Sequence, residues 1–189
     1  MKESQLIVIT GPSGVGKGTL VRSLLARHPE LVLAVSATTR KPRPGEADGK
    51  DYHFVTEEQF QRMIESNLLL EWAEYAANYY GTPRSAVEEQ ISHGKSVILE
   101  IEVLGARKIK HSFPDALRLF VLPPSMEELE RRLRARGNVP EAAIIKRLER
   151  AKLEVAASAE FDYSIVNDDF DRALSALEAV IFKQPLRDG

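Results

Sequence analysis

Residues 11–19 read Gly-Pro-Ser-Gly-Val-Gly-Lys-Gly-Thr, with glycines at 11, 14 and 16 and a lysine directly after the third. Glycines at this spacing let the backbone turn its N–H groups inward. Those donors and the positive end of a following helix form a cradle for an anion. Lys17 adds a point charge able to reach the β- and γ-phosphates of a nucleoside triphosphate. The pattern G-x-x-x-x-G-K carries this meaning between a strand and a helix. Both are expected here: Leu6-Ile7-Val8-Ile9 is an apolar run, and Leu20, Val21, Leu24 and Leu25 share one helical face. Gly18 departs from the usual form, because Ser or Thr at that place gives a hydroxyl to Mg²⁺, and Thr19 comes one position late.

A second group of residues has the chemistry of a phosphate acceptor. Ser36-Ala37-Thr38-Thr39-Arg40-Lys41-Pro42-Arg43-Pro44-Gly45-Glu46 is a proline-stiffened basic stretch, followed by Tyr52, Glu71-Trp72 and Asn78-Tyr79-Tyr80-Gly81-Thr82. Arginine suits phosphate because its planar fork matches two oxygens at once. Four scattered histidines show no ligand spacing, and Trp72 is expected in the core.

The elements that must position these groups alternate. Strands are expected at 31–35, 52–55, 96–101, 117–122 and 163–166. A capping-box pair, Thr56 with Gln59, opens a helix bearing Phe60, Met63 and Ile64. Thr82-Pro83 reads as the N-cap and first position of a helix ending near Gly94. Ser125 with Glu128 opens another to about Arg136, a charged helix covers 141–157, and the last helix covers 169–182. Residues 36–51 read as a loop. The alternation predicts an α/β fold with a parallel sheet whose ligands sit at strand carboxyl ends. Residues 36–83 and 126–157 break the rhythm. They are expected to be inserts in a single domain whose core is 1–35, 84–125 and 158–189.

Composition excludes other classes. The chain has 189 residues, is 43% hydrophobic, contains no cysteine and has a net charge of −2. Disulfides, thiolate metal sites and cysteine nucleophiles are excluded, and bulk nucleic-acid binding has no electrostatic support. No apolar run approaches membrane-spanning length, and the first strand begins too soon after Met1 for a leader, so a cytoplasmic protein is expected. An oligomeric state is not legible, with a monomer preferred.

The phosphate loop, Thr38-Thr39-Arg40 with Arg43, Asn78-Tyr79-Tyr80-Gly81, Pro123-Pro124-Ser125, Arg136-Gly137 and Val166-Asn167-Asp168-Asp169 together resemble guanylate kinases, in that family's order, over about residues 5–183. The resemblance implies a three-layer P-loop fold with an acceptor insert and a mobile lid. It implies transfer of the γ-phosphoryl group of ATP to GMP and dGMP, with Mg²⁺, serving GTP and dGTP supply and GMP recycling. By similarity, Gly11, Pro12, Ser13, Gly14, Val15, Gly16, Lys17, Gly18, Thr19 and Asn167 bind ATP. Arg40 and Arg43 grip the GMP phosphate with the hydroxyls of Tyr52 and Tyr80. Guanine presents two adjacent donors that a carboxylate can accept; by similarity that carboxylate is Glu71, with Ser36 and Thr82 on the rest of the base edge. Lys17, Arg40, Arg136 and Arg147 are the implied catalytic cations, the last two from the lid.

The chain also departs from the family. Glu100 and Glu102 replace the two Asp usual on the third strand, which puts their contacts to acceptor and metal waters in question. Leu104 stands where Gln is frequent. No residue is assigned as a direct metal ligand, and Mg²⁺ is expected to be held through waters and phosphates. Two other readings compete. The Gly-Lys-Gly-Thr ending is also what adenylate kinases show, although Glu71 argues against adenine as acceptor. A guanylate-kinase-like binding module without catalysis is disfavoured by the intact loop.

Overall fold

The computed structural model describes residues 4–75, 77–135, 137 and 140–183. Along the chain run β1 (Leu6–Thr10), α1 (Lys17–Arg27), β2 (Leu31–Leu33), β3 (Ala37–Thr38), β4 (His53–Phe54), α2 (Glu57–Glu65), β5 (Leu69–Tyr75), β6 (Asn78–Pro83) and α3 (Arg84–Ser92). Then come β7 (Ser96–Glu100), α4 (Val103–Ser112), β8 (Leu117–Leu122), α5 (Met126–Ala135), α6 (Glu141–Ala156), a 3₁₀ turn at Ala157–Glu160, β9 (Tyr163–Val166) and α7 (Phe170–Lys183). They form two compact units: Met1–Leu6 with Glu30–Ala116, and Ile7–Pro29 with Leu117–Gly189.

The unit containing the glycine loop is parallel. β1 pairs with β8, and β8 with β9, in parallel register. Every residue of β1 is buried, as expected for a parallel strand covered on both faces. Leu20, Val21 and Leu24 of α1, Leu129 and Leu133 of α5, and Leu174, Leu177 and Ile181 of α7 supply its buried helix faces. The guanidinium of Arg118 ties the start of β8 to β9 through Asp162 at 2.9 Å.

The other unit holds a parallel pair, β2 with β7, and a mixed four-stranded sheet in the order β4-β3-β6-β5. Under that sheet Ala37, Phe60 and Leu69 are buried, with Val55, Met63, Ile64, Trp72 and Tyr79 packed against them. Phe60 stacks on Tyr79 at 5.5 Å. The capping box at α2 is complete: Gln59 N–H donates to Thr56 Oγ1 at 3.1 Å, and Thr56 N–H donates to Gln59 Oε1 at 2.8 Å.

Four local expectations change. The expected loop at 36–51 contains the short strand β3. The strand expected over 31–35 ends at Leu33. Thr82 is not a helix cap: it lies in β6, and Pro83 caps α3. The cause is the β5–β6 hairpin, which turns through Ala77 at φ 58° instead of a glycine or asparagine that would announce it. At α5, Glu128 N–H does donate to Ser125 Oγ at 3.1 Å, but the Glu128 carboxylate turns to Arg131 and Arg132 rather than back to the cap.

Candidate active site

The glycine loop joins buried β1 to α1. Gly16 is the N-cap of α1 at φ 96°, in the left-handed region, and no side chain caps the helix. The first-turn N–H groups are therefore left for an anion. Gly11 has no room for a side chain, since a Cβ there would lie 2.5 Å from the carbonyl oxygen of Val121. Lys17 begins the helix and folds back so that Nζ donates to the Gly11 carbonyl at 3.1 Å. The charge is thus parked along the cradle it would serve. Thr19 Oγ1 accepts from Arg22 at 3.3 Å.

Two side chains brace the outside of the loop. Asn167, which is 7% exposed, donates from Nδ2 to the Val15 carbonyl at 2.8 Å. Arg132 donates to the same carbonyl at 3.3 Å and to the Asn167 carbonyl at 3.0 Å, while Glu128 holds its Nε at 2.8 Å. Those guanidinium bonds pull the Glu128 carboxyl down to about 2, with Arg131 the larger influence and Arg132 next. Further along, Arg134 forks onto Glu141 at 2.6 and 2.7 Å, joining α5 to α6. Arg147 lies half-buried on α6.

The other unit carries the residues expected from the sequence to serve the acceptor. Arg40 forks onto Glu46 at 2.9 and 3.0 Å, and its guanidinium carbon lies 5.2 Å from the centre of the Tyr52 ring. Glu46 also accepts from the Arg43 N–H at 2.7 Å. The Arg40 hydrogen bond, then that N–H, hold the Glu46 carboxyl below its ordinary range. The Tyr52 and Tyr80 rings meet edge-on at 6.0 Å. Burial, then the Tyr80 hydroxyl, raise the Tyr52 phenol. The Arg43 side chain is exposed.

Glu71 is the most unusual group in this unit. It sits on β5 with 5% exposure, opposite Thr82 on β6, whose hydroxyl donates to Oε1 at 2.7 Å. Burial pushes its carboxyl upward; the Thr82 hydroxyl and then the Lys108 charge pull it back. Lys108 itself donates to the Trp72 carbonyl and lies 3.9 Å from the centre of the Trp72 ring. Glu100 ends β7 and is exposed, whereas Glu102 is half-buried as the N-cap of α4. Ser36 precedes β3, and its carbonyl accepts the His53 N–H at 2.8 Å. Among the described residues, no group of three or more His, Cys, Asp and Glu is placed to hold a metal.

Comparison with known proteins decides the family. The guanylate kinase family model matches residues 3–184. A guanylate kinase of Synechocystis sp. is 63% identical over 179 residues, spanning 95% of this chain and 94% of the relative. A guanylate kinase of Nostoc sp. is 60% identical over 178 residues, spanning 94% of this chain and 89% of the relative. The crystal structure of guanylate kinase from Anaplasma phagocytophilum matches with a TM-score of 0.79 at 32% identity, over 99% of this chain and 89% of that one. The chain belongs to the guanylate kinase family.

Within this guanylate kinase fold, the residues expected from the sequence fall into two sets, one in each unit. Lys17, the loop residues 11–19, Asn167 and Arg147 lie in one. Ser36, Arg40, Arg43, Tyr52, Glu71, Tyr80, Thr82, Glu100 and Glu102 lie in the other. Arg136 falls outside the described residues. Sequence reasoning missed Arg132, Glu46 and Lys108. Arg132 sits four residues after Glu128, which reads as an ordinary surface helix pair. Only the fold shows that its free nitrogens reach the loop.

Proposed function

We infer that this guanylate kinase family member transfers the γ-phosphoryl group of ATP to GMP, giving ADP and GDP, and that it takes dGMP in the same site. The observation that carries the acceptor assignment is Glu71, a buried carboxylate held by one hydroxyl in a chain with an intact phosphate loop. A buried acceptor-only group needs donors. Guanine brings two adjacent ones, from N1 and the 2-amino group, and adenine has no such pair. Thr82 and Ser36 meet the rest of the base edge.

The transfer needs positioning and charge neutralisation rather than a covalent nucleophile. The loop N–H groups and the α1 terminus hold the β- and γ-phosphates. Lys17 leaves the Gly11 carbonyl to follow the phosphoryl group as it moves. On the acceptor side, Arg40 exchanges Glu46 for the GMP phosphate. One forked carboxylate is replaced by another forked anion, and the guanidinium keeps its geometry. Arg43, Tyr52 and Tyr80 complete the grip, and Glu100 and Glu102 would serve the acceptor and the waters that Mg²⁺ would carry. Arg147, together with Arg136, neutralises charge from the lid, formed by residues 126–157. Asn167 serves the ATP side by fixing the loop. Mg²⁺ would neutralise charge on the donor phosphates; Gly18 offers it no hydroxyl, so the loop would hold the ion only through the nucleotide and water.

Among the described residues, no helix is long and apolar enough to cross a membrane. That and the lack of cysteine support a cytoplasmic role in supplying GTP and dGTP precursors and recycling GMP. The test is stoichiometric: ATP, GMP and Mg²⁺ should give one GDP per ADP. Lys17→Ala should lose about 100-fold or more in turnover with its fold intact. ADP without GDP, or near-normal turnover in the variant, would overturn the mechanism.

A further inference from the structure

Gly105 is the third residue of α4 and carries no catalytic chemistry of its own. Its position against Glu71 is nonetheless exacting. A Cβ built on Gly105 would lie 2.6 Å from Glu71 Oε2 and 3.2 Å from Glu71 Cδ. The same Cβ would lie 3.3 Å from Cδ1 of Ile101. Real Cβ atoms do not approach a carboxylate oxygen that closely, so one of the two must move. Gly105 is buried within α4, which packs along β5. The helix cannot easily withdraw, and the carboxylate has to turn.

Glu71 has little freedom to turn without loss. Its Oε1 is fixed by the Thr82 hydroxyl at 2.7 Å, and the residue is only 5% exposed. Rotation away from Gly105 would break that hydrogen bond or swing Oε2 out of the plane that a two-donor base edge requires. Lys108, one turn further along α4, carries a positive charge that acts on the same carboxylate. One helix thus supplies both the empty space beside Glu71 and the cation that acts on it.

We infer that Gly105 is a positioning residue for base selection, whose missing side chain holds the Glu71 carboxylate in the orientation that accepts both guanine donors. The inference rests on the assignment of Glu71 to the guanine edge. It adds that α4, and not only the β5–β6 hairpin carrying Glu71 and Thr82, sets the choice of base.

Gly105→Ala separates this from a general structural role. The variant should raise the KM for GMP about tenfold or more, leave the KM for ATP within about twofold, and narrow the preference for GMP over inosine monophosphate, which lacks the 2-amino donor. Glu71→Asp shortens the carboxylate by one methylene and makes room for the added methyl. In that background Gly105→Ala should therefore cost less than about threefold in the same KM, a non-additivity that a merely structural role would not produce. This pair also serves if the single variant does not fold. An unchanged KM for GMP in Gly105→Ala would overturn the inference. So would a parallel rise in both KM values, or a tenfold cost repeated in the Glu71→Asp background. Glu71→Gln is the control for the assignment beneath it. If Glu71→Gln leaves GMP use intact, the base assignment itself fails; if it abolishes GMP use while Gly105→Ala leaves the KM for GMP unchanged, only the role of Gly105 is lost.

Discussion

At the scale of single residues, the proposed acceptor site turns on whether Glu71 is ionised. Burial raises its pKa, so the folded chain holds a proton there more tightly than the unfolded chain does. A protonated carboxyl offers the base only one good acceptor. The kcat/KM for GMP should therefore fall on acidification beginning above the ordinary carboxylate range, and a pH profile that titrates only where an exposed carboxylate would is the contrary result. The sign for stability is opposite. A raised folded pKa favours the fold below the unfolded pKa, and this advantage is lost as pH rises through the folded value. Without nucleotide, Glu71→Gln should melt higher than the parent at neutral pH, with the gap shrinking toward acid. Its kcat/KM for GMP should fall about 100-fold or more while ATP binding holds, because a polar site loses heavily when its pairing is broken. Candidates of this kind could be named from the sequence because their types and order match both a chemistry and a family. Arg132, Glu46 and Gly105 were not. Their importance lies in who stands beside them, and spacing alone does not report that a Cβ on Gly105 would fall 2.6 Å from the Glu71 carboxylate.

At the scale of elements, the loop depends on braces from after β9 and from α5. Asn167 and Arg132 share the Val15 carbonyl. Removing either loosens the cradle without touching the acceptor unit. Arg132→Ala should raise the KM for ATP about tenfold and leave the KM for GMP nearly unchanged; equal effects on both would show that the brace is not specific to the donor side. The cap of α2 is a simpler case. Thr56→Ala removes one hydroxyl from a complete capping box and should cost about 1 kcal/mol in a denaturant melt. The strong elements were legible: β1 and β8 are largely apolar runs with sharp ends, and the caps of α2 were written in Thr56 and Gln59. The β5–β6 hairpin was obscured because its turn uses Ala77 in a left-handed conformation. Thr82-Pro83 imitated a helix start because the threonine that would cap a helix instead faces Glu71. Helix α4 also went unread, its apolar positions Val103, Ala106 and Ile109 being interrupted by Gly105, Lys108 and Lys110.

At the scale of the whole molecule, one chain divides its chemistry between two units. One holds the glycine loop and Lys17, which we propose serve a triphosphate; the other holds Arg40, Tyr52, Tyr80 and the buried Glu71, which we propose serve a guanine monophosphate. The central claim is that these are the donor and acceptor halves of one phosphotransferase, with the base chosen by the second. The most direct measurement is ADP formation from ATP and Mg²⁺ with GMP, dGMP, AMP, CMP and UMP supplied one at a time. The account predicts rapid turnover with GMP, turnover with dGMP, and AMP poorer by about 100-fold or more in kcat/KM. Preference for AMP, or no ADP with any acceptor, would contradict it.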